Sequence, residues 1–102
     1  MNIGKFYQVK KFYWLLYPSK DTVPAAINSA AASNDYMATC TAACWSRELK
    51  CNVTFVSENN IFCLLEEDGR FLKVLTTNGE IGWVDYPTNE EWAKDCIEEV
   101  NQ

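Results

Sequence analysis

A mainly β fold with helical additions is predicted by three features of the 102-residue chain. Residues 61–86 read as three short strands, because apolar and polar residues alternate and an Asp-Gly and an Asn-Gly pair mark two tight turns. Aromatic residues crowd residues 6–17, which favours one or two further strands. Since 48% of the residues are apolar, the chain can bury a core. We therefore expect a single domain over residues 1–102.

The middle of the chain predicts a helical insertion at residues 24–50. This stretch is rich in alanine and contains no glycine, and both properties favour helix. Pro24 suits the first position of one helix, and residues 33–35 can cap a second one. Whether the insertion holds one helix or two stays open. Residues 51–56 then read as another strand.

The last segment predicts a second helical addition, at residues 89–100. Trp92, Cys96 and Val100 recur at the spacing that places side chains on one face of a helix. Acidic residues gather in the first turn, where the helix dipole favours them. We expect this apolar stripe to pack on the sheet.

A resemblance to a known family lies in residues 59–86. An Asp-Gly turn leads to an aromatic residue and a Lys-Val strand, and a second glycine turn precedes Gly82-Trp83-Val84. This pattern resembles the second half of an SH3-like barrel, closest to the bacterial type. The resemblance implies a small barrel of about five strands, with the helical insertion in its first long loop. It further implies that Trp83 packs along the barrel while Val84 points inward. Gly82, inside a strand, predicts a bulge or a close backbone approach.

Four aromatic residues are the candidate partner-binding residues: Tyr13, Trp14, Tyr17 and Trp83. In SH3 domains that bind peptides, tyrosines just after the first strand line a shallow groove, and the resemblance implies such a groove beside Tyr13 and Tyr17. The alternative is that these side chains form the core, because aromatic residues at strand spacing commonly do so. Both interpretations stay open on the sequence.

The charge distribution narrows the class of partner. The formal net charge is −5, and residues 58–102 carry eleven acidic residues against three basic ones. Such a chain repels phosphates, so nucleic acid is not expected as a partner. The acidic half either forms a solvated face or attracts a basic partner. The one early apolar run is too short for a membrane span or a signal peptide, so we expect a cytoplasmic protein, in a bacterium or an infected host cell.

Catalysis and metal binding are not expected. The chain has no histidine, so a serine or cysteine nucleophile lacks its ordinary base. Cys40 and Cys44 lie one helical turn apart, but the other three of the five cysteines are scattered, and zinc sites need further ligands. We expect five reduced thiols that serve as small apolar residues, and no cofactor.

These expectations favour a non-catalytic module that binds another protein or a peptide, as in an accessory protein of a bacterium or phage. Three alternatives remain. Bacterial SH3 domains often bind peptidoglycan peptides, so a cell-wall module is one. A structural subunit of a homo-oligomer is the second. A small hydrolase that uses Cys63 or the acidic turn before Gly69 is the third, and the missing histidine weighs against it.

Overall fold

The computed structural model describes residues 1–23, 35–86 and 91–100, and only the backbone of residues 35–38 and 92. These residues form seven strands, one α-helix and two short 3₁₀ turns. The strands and the helix are β1 (Phe6–Val9), β2 (Trp14–Leu16), α1 (Asp35–Leu49), β3 (Thr54–Val56), β4 (Ile61–Asp68), β5 (Phe71–Thr76), β6 (Ile81–Asp85) and β7 (Ile97–Glu99). The 3₁₀ turns are Lys20–Thr22 and Glu91–Ala93. A mainly β fold is thus confirmed.

The strands form two antiparallel sheets. The larger sheet has the order β6-β5-β4-β1-β7, and the smaller one pairs β2 with β3. The three consecutive strands predicted at 61–86 are β4, β5 and β6, as expected. Their two turns contain Gly69 and Gly79 at φ values of 61° and 84°, which glycine adopts without strain.

A bend at Lys10–Phe12 carries the chain from one sheet to the other. The backbone N–H groups of Lys10 and Lys11 both donate to the carbonyl oxygen of Cys96, at 2.7 and 3.3 Å. Phe12 then takes a φ of 66°, which is rare for a bulky residue. As a result, β1 and β2 belong to different sheets although they are separated by only a few residues.

The closed barrel expected from the sequence is not formed by the described residues. The edges of the two sheets meet at one residue pair, where the N–H groups of Tyr17 and Trp83 each donate to the other's carbonyl oxygen, at 2.8 and 2.7 Å. Pro18 follows directly and has no N–H to continue a ladder. We call this junction the seam.

Gly82 lies beside the seam and confirms the predicted close approach. A Cβ atom at Gly82 would lie 2.6 Å from Cγ of Leu16 and 2.8 Å from the carbonyl oxygen of Tyr17. Those distances leave no room for a side chain. The register between β5 and β6 is regular through Val74 and Gly82, so the glycine serves a close approach and not a bulge.

The second predicted helix of the insertion is confirmed as α1, whereas the first falls on residues 24–34, outside the described residues. Lys50 ends α1 at a φ of 55°, in the left-handed region that commonly closes helices. Ser46 then joins the helix to the chain before β3. Its hydroxyl accepts from the N–H of Val53 at 2.9 Å and donates to the carbonyl of the same residue at 3.1 Å.

The predicted C-terminal helix at 89–100 is wrong. The chain instead makes a 3₁₀ turn at Glu91–Ala93 and then forms β7, which pairs with the free edge of β1 and places Ile97 opposite Val9. Both side chains are buried. The helical spacing was misleading because a short helix is only marginally stable by itself, whereas the open edge of β1 stabilises this segment as a paired strand. The side chain of Trp92, the first residue of the predicted stripe, lies outside the described residues.

Two apolar clusters form the core. The main cluster lies between the larger sheet and β2 and includes Trp14, Leu64, Val74 and Val84. The second cluster lies between the smaller sheet and α1, with Tyr13, Leu15, Tyr17, Ala42 and Val53. Because side chains alternate along β2, its neighbouring residues enter different clusters. Of the described segments, no helix has both the length and the apolar character needed to cross a membrane.

Candidate functional site

The four predicted site residues are all buried. The exposed fractions are 2% for Tyr13, 0% for Trp14, 1% for Tyr17 and 8% for Trp83. Trp14 packs edge-on against Tyr86 in the main cluster, with ring centroids 5.1 Å apart. All four side chains are buried in the structure, which favours the alternative that they belong to the core over that of an exposed aromatic groove. Their role in binding a partner stays a prediction.

The structure brings two of the four predicted site residues together. Tyr17 and Trp83 form the backbone pair at the seam. Trp83 lies on the outer side of its strand, while the next residue, Val84, enters the main cluster. Lys20 lies over the Trp83 ring, with its Nζ atom 5.3 Å from the ring centroid, and also forms an ion pair with Asp68. The hydrogen bond to this carboxylate raises the pKa of Lys20. The Lys20–Thr22 turn therefore covers Trp83 from outside.

The hydroxyl group of Tyr17 is buried and has no hydrogen-bond partner among the described residues. Burial is the largest cause that raises the pKa of Tyr17 to about 12, and the charge of Asp85 adds to it. Asp85 is itself buried and is held by two nitrogens of Arg70, one of them 3.2 Å away. At neutral pH the Tyr17 hydroxyl therefore keeps its proton and is not a base.

An apolar row crosses the solvent-facing side of the larger sheet. Phe6 pairs with Cys63, Cys63 pairs with Leu75, and Leu75 pairs with Ile81. Phe6 is 42% exposed and Ile81 is 56% exposed, while the two central side chains are half-buried. Their neighbours along each strand face the core, so the row belongs to the opposite face. We call these four residues the apolar row.

The apolar row continues onto the edge strand and has charged residues on both sides. The N–H of Val100 donates to the carbonyl oxygen of Phe6 at 2.9 Å, which extends the sheet one residue past β7. On one side, Glu66 pairs in register with Lys73. On the other side, Glu98 lies 3.8 Å from the ammonium of Lys10. The charges on the two sides are mixed in sign, and the row between them is apolar.

A small cleft lies where the apolar row reaches the seam. It has a volume of about 230 Å³. Its apolar walls come from β2 and the residues on either side of the seam, and its polar walls come from the chain around β3 and from the turn before β6. The lining residues are Leu16, Tyr17, Pro18, Asn52, Thr54, Glu80 and Ile81. Ile81 therefore belongs both to the apolar row and to this seam cleft.

The cysteines have different environments. All five are free thiols. Cys96 is buried, and burial raises the pKa of its thiol. Cys40 and Cys44 are exposed on α1, so these two thiols do not serve as core residues. Within the described ranges, no three cysteine, aspartate or glutamate side chains gather as metal ligands. The expectation of no bound metal stays a prediction.

Sequence reasoning missed the apolar row and the seam cleft. A signal for the row was available, since Ile61 to Leu65 is an unbroken apolar run, whereas a strand with one solvated face alternates. The cleft has no such signal, because its walls come from segments far apart in the chain. Comparison with known proteins adds no assignment: no family model, no curated protein and no solved structure matches this chain.

Proposed function

We propose that this chain is a non-catalytic protein-binding module that holds its partner on the apolar row. The observation that carries the proposal is the exposure of Phe6 and Ile81 at the two ends of a row of directly paired apolar side chains. Single exposed apolar residues are ordinary, but a contiguous apolar patch on a sheet face is typical of an interaction site.

The core does not account for the row. Antiparallel sheets that face water on one side usually carry polar residues there. Here the inward residues beside the row, such as Phe62 and Val74, are already buried in the main cluster. The outward Leu75 and Ile81 add nothing to that cluster. A partner that covers a half-exposed side chain of this size gains about 1 kcal/mol from it, so the row provides useful binding energy only when it is covered as a whole.

The chemistry of the described residues supports binding over catalysis. The chain has no histidine. The buried carboxylate of Asp85 is engaged by Arg70, and the buried Tyr17 hydroxyl has its pKa raised to about 12. The Tyr17 hydroxyl therefore keeps its proton at neutral pH and is not a base.

The fold that we propose for this module is an open relative of the SH3-like barrel. The strands β4, β5 and β6 support it, because the resemblance lies in the same residues. Trp83 lies on the outer side of β6 and Val84 lies in the core, in agreement with what the resemblance implies. The close approach of Gly82 to Leu16 is in keeping with it as well.

The test is quantitative capture of a partner from the source cell on immobilised protein, followed by affinity measurement with the captured protein. Replacing Phe6 or Ile81 by serine should weaken the affinity about fivefold each, as expected for the loss of roughly 1 kcal/mol of apolar contact. Ile3→Ser is the matched control, because Ile3 is 63% exposed but lies outside the strands. Equal capture by all four proteins would overturn the proposal.

Gel filtration gives a second readout that separates a partner from self-association. We expect the parent protein to elute as a monomer, since the proposed occupant of the apolar row is another protein. A parent dimer that Phe6→Ser converts to a monomer would show that the row binds a second copy of the chain, which contradicts the proposed function.

A further inference from the structure

The seam cleft has an origin in the backbone. The N–H and carbonyl groups of Trp83 point toward β2, because both bond to Tyr17. In an antiparallel ladder these directions alternate, so the backbone groups of Ile81, two residues earlier, point toward the same edge. The chain turns away at Pro18, and no strand of the described residues continues there. The cleft therefore lies at the position that the next residue of a longer β2 would occupy.

The lining of the cleft is amphipathic. Leu16, Pro18 and Ile81 are the aliphatic residues of the lining, and Glu80 is its acidic residue. The ion pairs found among the described residues engage other carboxylates and leave Glu80 without a cationic partner. The protein as a whole is acidic, with a net charge of −5. An apolar wall that ends at a carboxylate is complementary to a side chain with an alkyl stem and a cationic head.

We propose that the seam cleft receives a lysine or arginine side chain of the partner, an inference that rests on the proposed function. The alkyl stem lies against Leu16 and Pro18, and the cationic head pairs with the Glu80 carboxylate. Ile81 links this cleft to the apolar row, so the same partner segment covers both. The partner is thus a protein segment in which a basic residue follows an apolar stripe. The net negative charge of the chain also attracts a positively charged partner segment at long range.

The first experiment uses three small probes with the intact protein: the N-acetyl methylamides of lysine, arginine and norleucine. Norleucine keeps the four-carbon stem of lysine and lacks the charge. Amide chemical shifts are followed by NMR as each probe is added at millimolar concentrations. We expect the two cationic probes to shift the amides of Ile81 and Thr54 in a saturable manner. Binding should weaken as salt is added. Equal affinity for norleucine, or no saturable shift at these amides, would overturn the inference.

The matched variants are Glu80→Gln and Glu58→Gln. Glu58 is exposed in the turn before β4 and takes no part in lining the cleft. We expect Glu80→Gln to weaken the lysine probe about two- to fivefold, within the range for one exposed ion pair, and Glu58→Gln to leave it unchanged. Unchanged binding in Glu80→Gln would contradict the assigned role of this carboxylate. The backbone groups of Glu80 bond to Thr76, so the variant keeps its turn.

The two proposals fail in different ways. If partner affinity falls with Phe6→Ser and not with Glu80→Gln, the apolar row binds the partner and the cleft inference is wrong. If partner affinity is insensitive to Phe6→Ser, the proposed function is wrong, whatever the small probes do. A fall with both variants supports both proposals.

Discussion

At the residue scale, the most restrictive position is Gly82. A Cβ atom at this position would lie too close to the Leu16 side chain and to the carbonyl oxygen of Tyr17. The glycine is required by space and not by an unusual backbone angle, unlike Gly69 and Gly79, which have positive φ. One missing methyl group therefore allows two strands of different sheets to lie side by side.

Gly82→Val should lower the free energy of unfolding by about 2 kcal/mol or more, because overpacking forces β6 and β2 apart. Chemical denaturation followed by circular dichroism measures this. Thr77→Val is the matched control, because Thr77 is exposed in the turn between β5 and β6. It should change stability by only about 0.5 kcal/mol. A Gly82 variant as stable as this control would show that the seam tolerates a side chain.

Two buried tyrosines should respond differently to the loss of their hydroxyl groups. Tyr86 donates to the carbonyl oxygen of Ala93, so Tyr86→Phe should cost about 1 kcal/mol. Tyr17 has no hydrogen-bond partner among the described residues, so Tyr17→Phe should be neutral or stabilising at pH 7. A clear loss of stability in Tyr17→Phe would reveal a partner for the hydroxyl.

The same tyrosines predict how stability depends on alkaline pH. Burial raises the pKa of each from 10.0 to about 12, so the folded state favours the protonated phenol. This contribution is complete below pH 10, the unfolded value, and is lost as the pH rises toward 12. Each phenylalanine variant should lose less stability than the parent between these two pH values in denaturation experiments. An equal loss would contradict the buried-phenol explanation.

At the element scale, local signals identified most strands and one helix. The meander β4–β6 follows from alternation and glycine turns, and α1 from alanine and the absence of glycine. The segment after β6 could not be predicted in this way, because its spacing fits a helix and its structure depends on the free edge of β1. The candidate site was likewise predictable in part from local sequence and in part not. Phe6 and Ile81 lie in predicted strands, but which face they occupy depends on the register with distant strands.

The edge strand β7 should contribute to stability through Ile97. This side chain is 7% exposed and lies opposite Val9. Ile97→Ala should therefore cost about 2–4 kcal/mol, the usual range for a buried branched residue. Glu99→Ala is the control, because Glu99 is exposed on the same strand, and it should have little effect. Equal and small effects in both would indicate that β7 is not docked in solution.

At the scale of the whole molecule, β2 joins the two clusters into one core. Trp14 and Leu16 enter the main cluster, while Tyr13, Leu15 and Tyr17 enter the second. Neither cluster can lose its packing without moving a strand that the other needs. Thermal unfolding should therefore give one transition, with the same midpoint by tryptophan fluorescence and far-UV circular dichroism. Two separate midpoints would divide the chain into independent units.

The outermost strand of the larger sheet, β7, is also the edge at which two copies of the protein could pair strand to strand. Among the described residues, β7 has no neighbouring strand on its outer side, and its sequence places Glu98 beside Glu99 at that border. Glu98 lies 3.8 Å from the ammonium of Lys10, whereas the exposed Glu99 has no ion-pair partner among the described residues, so two copies that approached border to border would bring their Glu99 carboxylates together and repel each other. Acidic side chains at a strand border thus disfavour the addition of a strand from another copy.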